Sequence, residues 1–445
     1  MKIIIVGAGI GGTSAGIALQ KLGHEVVIYD QMQENKPVGA ALSLWSNGVK
    51  VLNWLGLADE VKALGGSMDD MAYVDGLTGE TMCQFSLAPV TEQTGQKPYP
   101  VARADLQALL MERFGLDKVH LGMRMVGIED DGETVTVTFA DGSTATADML
   151  IGADGARSIT RDYVAPEGAP PIEREYSGYT NFNGLIPVDE AIGPQNQWTS
   201  YVAEGKRACV MPVAGDRFYF WFDVVQPSGL PYDRSEGKAP LEEAFAGWAP
   251  GVQALIGAID PEASLNRVEI WDITPFDTWV KGRVAILGDA AHNTSPDIGQ
   301  GACSALEDAF ALAIAVASNT VSVEDTLLRY QKIRAERAGD LVLRARKRGE
   351  ETHAYDEDAT EAWYKSLWGT DGTGIIKGIV GNIEGSPINL GGNPGVTARL
   401  CQFMTEGPVE ERVARQRRTA CFSAGPSCFG FFAFRTFCRR RRPRH

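Results

Sequence analysis

Apolar residues fall along this chain in three distinct patterns. The first is a short β-branched run, Ile3-Ile4-Ile5-Val6, of the kind that fills a parallel strand buried on both faces. "TSAGIALQKLG" follows with a helical period and stops at Gly23, and "EVVIYD" reads as a second strand ending in Asp30. Similar buried strands recur in "TADMLIGADGARSITR" (146–161) and "GRVAILGDAAHNTSPDIGQGACSALEDA" (282–309), each running straight into a glycine-rich turn. The second pattern occupies 175–275, where short aromatic-rich strands follow one another, among them "EYSGYTNFNGLIPV" and "NQWTSYVAEGKRACVMPV". The third is "LVLRARKRGEETHAYDEDATEAWYKSLW", a helix with a charged face and a helical closing region.

The stretch "GKRACVMPVAGDRFYFWFDV" (205–224) is two strands around a turn at Ala214-Gly215-Asp216. Side chains alternate between the faces of a strand, so Tyr219 and Trp221 share one face while Phe218, Phe220 and Phe222 share the other. A three-residue turn sets Met211 opposite Tyr219 and puts Arg207 on that same face, nearer Asp223. An arginine buried there costs several kcal/mol without a partner. Its partner is either an anion brought to the site or an acid of the sheet edge, Asp223 or Glu204.

Gly7-Ala8-Gly9-Ile10-Gly11-Gly12 matches G-x-G-x-x-G between a strand and a helix, with an acid closing the next strand. Gly7 permits the tight turn, Gly9 lets the backbone approach a pyrophosphate, and Gly12 lets the helix lie on the strand. The helix N-terminus offers free N–H groups to the phosphates, and Asp30 can accept hydrogen bonds from a ribose diol. This motif alone leaves open whether the dinucleotide is FAD or NAD.

The totals narrow the field. A chain of 445 residues implies two packed domains, and a net charge of -15 argues against nucleic acid as a partner. Seven scattered cysteines and five histidines suggest neither a disulfide framework nor a metal site. The N-terminal apolar run breaks too early for a signal peptide, and no stretch reaches the length of a membrane span, so a cytoplasmic protein is expected.

The nucleotide fingerprint, the turn Gly152-Ala153-Asp154-Gly155 and the Gly288-Asp289 turn with its Gly-Gln-Gly sequence resemble, together, the single-component FAD-dependent aromatic hydroxylases of the para-hydroxybenzoate hydroxylase type, the class A flavoprotein monooxygenases. The resemblance spans residues 1 to about 385. It implies an α/β fold: a Rossmann-like FAD-binding domain of the ββα-type three-layer kind, an inserted antiparallel β-sheet substrate domain, and C-terminal helices. The expected boundaries are 1–75, 100–170 and 280–330 for the FAD domain, 76–99 and 171–279 for the substrate sheet, and 331–388 for the helices. It also implies tightly bound FAD and a nicotinamide donor that binds transiently, since the chain has one dinucleotide fingerprint. Asp289 would hold the ribityl chain and phosphates. Pro296, Gly299, Gln300 and Gly301 would lie against the isoalloxazine ring, with the following helix dipole favouring the anionic reduced flavin. Asp154 and Arg103 match family residues that reach toward the cofactor. Ile10, Gly11, Gln31, Ser43, Met125 and Ala302 fall in the matching cofactor-contact positions.

"KPVGAALSLWSNGVK", "GYTNFNGL", "GWAP" and "PDIGQGAC" are similar, more narrowly, to the bacterial FAD-dependent urate hydroxylases of purine catabolism. Asp30 stands where a Glu is usual and Ala302 where a Gly follows the Gly-Gln-Gly turn. The resemblance makes Arg207 and Tyr219 the catalytic pair, with Asn181 and Gln300 also at the substrate. The implied reaction is oxygen transfer from a flavin C4a-hydroperoxide to C5 of the urate anion, giving 5-hydroxyisourate at the expense of NADH and O2. No general base is needed, because the substrate is already anionic, and His292 reads as structural. The alternatives are a hydroxylase of another aromatic or N-heteroaromatic acid, of the salicylate or hydroxynicotinate type, or a non-catalytic FAD-binding redox protein. The partners expected are the small-molecule substrate and O2, without nucleic acid or membrane, in a monomer or homodimer.

Composition changes abruptly after residue 388. From Gly391 onward there are eleven Arg, no Lys and three acidic residues, and four of the seven cysteines. This reads as an extraneous, disordered basic tail rather than a membrane or nucleic-acid arm.

Overall fold

A computed structural model of the chain describes residues 1–34, 40–318, 321–353 and 355–388. The expectation for 389–445 lies outside the described residues. Strand β1 (Lys2–Val6), helix α1 (Ile10–Lys21) and strand β2 (Glu25–Tyr29) form the expected βαβ unit, and Gly23 ends the helix connection at φ +85°. Ile3, Ile4 and Ile5 are wholly enclosed, as a strand covered on both faces requires. β1 is central in a six-stranded sheet, flanked by β2 and by the strand Met149–Gly152, which in turn pairs with Val284–Ile286. All of these pairings are parallel, so the glycine-rich turns that follow the three strands emerge side by side at one sheet edge. That is where open α/β sheets bind their ligands. A three-stranded antiparallel meander (Met125–Asp130, Val135–Phe139, Thr144–Ala147) reaches this sheet through the Tyr29–Phe139 ring contact at 4.7 Å.

The second sheet has seven strands. Its centre runs Asn266–Ile273, Arg174–Pro187, Arg217–Val225, Lys206–Val213, Gln197–Ala203, all antiparallel. The expected antiparallel sheet also takes in one parallel pairing. Asp70–Asp75 pairs parallel with Gln197–Ala203, because it enters from the other domain across a long crossover. That pairing also puts residues 70–75, expected with the nucleotide domain, in the substrate sheet.

The hairpin turn is the three residues Ala214-Gly215-Asp216, with Met211 opposite Tyr219 and Arg207 opposite Asp223, the register expected from sequence. Gly215 and Asp216 both take positive φ, which matches the turn to the twist of the strands. Phe218, Phe220 and Phe222 are fully buried on one face, against Phe245, Trp248 and Leu255 from the Ala239–Ala244 and Pro250–Ala258 region. Each such ring contributes about 1.5–3 kcal/mol by transfer from water. Tyr219 and Trp221 face the other way, toward the core shared with the FAD-type domain, and stack at 5.1 Å. The helix Val323–Thr352 then runs back along both domains, followed by Glu357–Leu367 and Thr373–Ile383.

Candidate active site

The first turn has the shape of a nucleotide cradle. Gly7 sits at φ +111°, and a Cβ added there would come within 2.0 Å of the Ala153 carbonyl oxygen. A Cβ on Gly12 would come within 2.1 Å of the Gly7 oxygen, so α1 can pack this closely only through glycine. Around Gly9, by contrast, no atom of the described residues beyond its chain neighbours lies within 4 Å of an added Cβ. The N-terminus of α1 therefore opens onto free space, which fits a pyrophosphate. Ile10 and Gly11 are buried behind it, Gly11 tight against Leu287 and Ala305. Asp30 accepts the Ala8 N–H at 2.6 Å and the Met32 N–H at 2.7 Å, so its carboxylate also shapes the turn it was expected to serve; Gln31 beside it is exposed.

The other expected cofactor residues divide into those that face the cradle and those that build it. Arg103 opens the Arg103–Phe114 helix, and its buried Nε has no partner among the described residues, a donor awaiting an acceptor. Gly299 is left-handed at φ +63° and so close to the opposite strand that a Cβ would meet Ser43 Oγ at 2.5 Å and Trp45 Nε1 at 2.8 Å. Pro296 and Asp289 are exposed, Gly301 and part-buried Ala302 start the Gly301–Ala317 helix, and Met125 is buried at the head of the meander. Asp154 is a builder: it accepts hydrogen bonds from the Ser158 hydroxyl at 2.5 Å and the Thr160 hydroxyl at 3.0 Å, fixing its own loop. Gln300 is also turned inward. Its carbonyl oxygen accepts from Asn47 at 2.9 Å, and Asn47 in turn donates to Glu307 at 2.8 Å. Beneath this turn lies a buried ionic layer, with Arg334 bonded to Glu307 at 2.6 Å and to Asp308 at 2.7 Å. His292 belongs to that layer, 2.6 Å from Asp308, in the structural position expected for it.

Across from the Gly-Gln-Gly turn, the substrate sheet presents Asn181, Asp223 and Arg207 as one cross-strand row. Arg207 is 13% exposed and donates from Nε to Asp223 at 2.8 Å and from Nη2 to Asp297 at 2.7 Å; both carboxylates are completely buried. Of the two partners open to Arg207 from sequence, the acid Asp223 is thus engaged. Asn181 donates to the second oxygen of Asp223 at 2.7 Å and accepts from Asn183 at 2.7 Å. Tyr179 donates its hydroxyl to Asp297 at 2.8 Å and stacks on His353 at 4.0 Å between ring centres.

The electrostatics follow from this pairing. Burial pushes the Asp297 carboxyl up, but the Arg207 guanidinium beside it outweighs that and holds the group well below the usual carboxylate range. Burial and the two acids raise the Tyr179 phenol well above its ordinary value. Burial first, then Asp223, raises Tyr219 as well, so its hydroxyl remains a proton-bearing donor at neutral pH.

Asp297, Tyr179 and His353 went unnoticed in the sequence. Asp297 had a signal, its place inside "PDIGQGAC"; His353, 146 residues from Arg207 along the chain, had none. Among the described residues, no group of three or more His, Cys, Asp or Glu could hold a metal ion, and no helix is long and apolar enough to cross a membrane.

Three strand-end turns around a glycine cradle, with a polar and aromatic sheet facing them, define an FAD-binding monooxygenase architecture. The FAD-binding-domain family model matches residues 1–345, and the chain belongs to that family, in its FAD-dependent urate hydroxylase branch. It is 58% identical over 390 residues to the FAD-dependent urate hydroxylase of Mycolicibacterium vanbaalenii, covering 87% of this chain and 98% of that one. The crystal structure of Klebsiella pneumoniae HpxO complexed with FAD and uric acid superposes with a TM-score of 0.84 at 48% identity, over 87% of this chain and 98% of that one. A salicylate hydroxylase substrate complex matches more distantly, with a TM-score of 0.69 at 25% identity over 87% and 98% of the two chains.

Proposed function

We propose that this chain is an FAD-dependent monooxygenase that hydroxylates urate at C5 to 5-hydroxyisourate, with NADH as electron donor and O2 as oxygen source. The observation that carries the reading is the face of the hairpin where Arg207, Tyr219 and Trp221 stand together opposite the Gly-Gln-Gly turn. Bound FAD, once reduced, supplies the activated oxygen; the glycine cradle, Arg103 and the Ser43–Gly299 approach are what would hold it.

The protein's own residues bind and orient. Nε and Nη2 of Arg207 are tied to carboxylates, so the guanidinium is fixed in direction before any ligand arrives. A purine anion held against it and hydrogen-bonded by the Tyr219 hydroxyl has little freedom left, which is the contribution positioning makes to rate. The stacked Tyr219 and Trp221 rings give a flat apolar wall that matches a planar heterocycle and keeps water from the reacting oxygen. Asn181 acts on this wall through Asp223, whose carboxylate it shares with Arg207.

The test is NADH oxidation by the FAD-loaded protein with urate, with salicylate and with no addition, H2O2 being assayed in parallel. Urate is expected to stimulate oxidation strongly with little H2O2. Stimulation by salicylate and not by urate, or H2O2 as the sole product, would refute the substrate assignment.

A further inference from the structure

The buried charge around Arg207 does not balance. One guanidinium faces two carboxylates, Asp223 and Asp297, and both are fully enclosed. Among the described residues, the titratable groups that face this cluster are few, and one of them is Tyr355, which feels Asp297 and whose phenol is pushed up to about 12, mainly by burial. Tyr179 and Tyr219 are phenols held neutral by burial, as is Tyr73, which feels both Arg207 and Arg348. Tyr364 accepts the Gly205 N–H, and the Cys209 thiol is pushed up to about 12 by burial. Arg348, one turn back on the helix, is occupied over the Trp363 ring at 4.3 Å. That leaves His353, the fully buried residue that caps the helix Val323–Thr352.

Its ring makes three polar contacts that no single protonation state serves. Nε2 lies 3.2 Å from Arg207 Nη2 and 3.3 Å from Asp297 Oδ1, while Nδ1 lies 3.3 Å from the Gly205 carbonyl oxygen. A neutral ring with its proton on Nδ1 donates to Gly205 and accepts from Arg207, but then turns a lone pair toward Asp297. A protonated ring donates to both Gly205 and Asp297, but then opposes the Arg207 N–H. Nε2 is thus poised between a donor and an acceptor that already hold each other.

We infer that His353 takes up a proton when an anionic substrate binds at Arg207: the imidazolium takes over Asp297, and guanidinium Nη2 is released toward the anion. The inference rests on the urate reading above. An incoming anion would otherwise leave two uncompensated negative charges in a buried site, which is strongly disfavoured. No bond other than the N–H on Nε2 is formed, and the proton comes from solvent. His353 is a positioning residue, acting on substrate through Asp297 and Arg207.

The test is calorimetric titration of the full-length, FAD-loaded protein with urate at about pH 7.5, in buffers of different ionisation enthalpy. The slope of observed heat against buffer enthalpy counts protons. The wild type is expected to take up most of one proton per urate, and its urate Kd to weaken up to about tenfold per pH unit above neutrality. His353→Gln, which keeps the hydrogen bonds but cannot titrate, is expected to lose both effects. Asp297→Asn, which removes the charge that calls for the proton, gives an independent second variant with the same expectation. Urate binding without proton uptake, or uptake undiminished in both variants, would overturn the role of His353 alone. No heat and no change in the flavin spectrum on adding urate would overturn the substrate reading, and this inference with it.

Discussion

Replacing Arg207 by Gln should make the stability of the protein depend on pH in a way the wild type does not. The substitution removes the guanidinium bonded to Asp223 and Asp297 and leaves two fully enclosed carboxylates. Breaking a buried pair from one side costs about 3–5 kcal/mol. Asn181 still donates to Asp223, and Tyr179 and His353 still face Asp297, so the lower end, about 3 kcal/mol at pH 7.5, is the expected loss. The sign with pH follows from which state binds the extra proton. In the wild type, Asp297 is depressed, so its contribution is present above the ordinary carboxylate range and is lost as pH falls from that range to the lower value of the folded state. In the variant, burial without the guanidinium raises a carboxyl above its unfolded value, so the folded variant holds a proton that is lost as pH rises. The gap between the proteins should therefore widen with pH by about 1.4 kcal/mol per unit wherever that proton is bound. Thermal unfolding of both FAD-loaded proteins from about pH 5.5 to 8 measures it, at about 2 °C per kcal/mol for a chain of this size or larger. A gap that stays constant across this range would show that the two acids do not depend on Arg207.

The glycine cradle gives a paired prediction. Gly12→Ala drives a Cβ to 2.1 Å from the Gly7 oxygen and should lower both the melting temperature of the apoprotein and FAD retention on desalting, whereas Gly9→Ala meets open space and should lower FAD retention with apoprotein stability within about 0.5 kcal/mol. Tyr219→Phe removes a proton-bearing hydroxyl but keeps the stack on Trp221, so product per NADH should fall several-fold while the melting temperature stays close to wild type; an unchanged product yield would remove Tyr219 from the reaction. Truncation after Asn389 should leave urate-stimulated NADH oxidation unchanged, and its loss would show that 390–445 contribute to function.

Much of this architecture was legible because local pattern and global fold agree. The Ile3–Val6 run, the glycine spacing and Asp30 identify one βαβ unit, and the alternation within 217–225, with a three-residue turn, fixes which aromatic rings share a face. What could not be read was any contact that joins distant segments. That Arg207 meets Asp297 and His353 depends on how the second sheet and the C-terminal helix dock, and no local periodicity encodes docking. The inward turn of Gln300 has the same origin. A glutamine between two glycines gives no sign of direction until Asn47 and Glu307 are brought beneath it. The parallel entry of Asp70–Asp75 was hidden for a related reason, since a strand's partner is not written in the strand.

The Ala214-Gly215-Asp216 turn lies at the surface, and surface turns are ordinarily the places where families tolerate changes in length. Here the strand it leads into carries large rings on both faces, so its two sides are nearly interchangeable in size but not in chemistry. One residue gained or lost that shifted this strand by one position would bring Phe218 and Phe220 to the flavin side and send Tyr219 and Trp221 to the back. The same shift would turn Asp223 away from Arg207 and toward the apolar core around Phe245, so the fold as well as the site would register the exchange. Loop length at 214–216 is therefore a determinant of substrate chemistry, and a comparison of natural relatives should find this turn as invariant in length as the residues at the site itself.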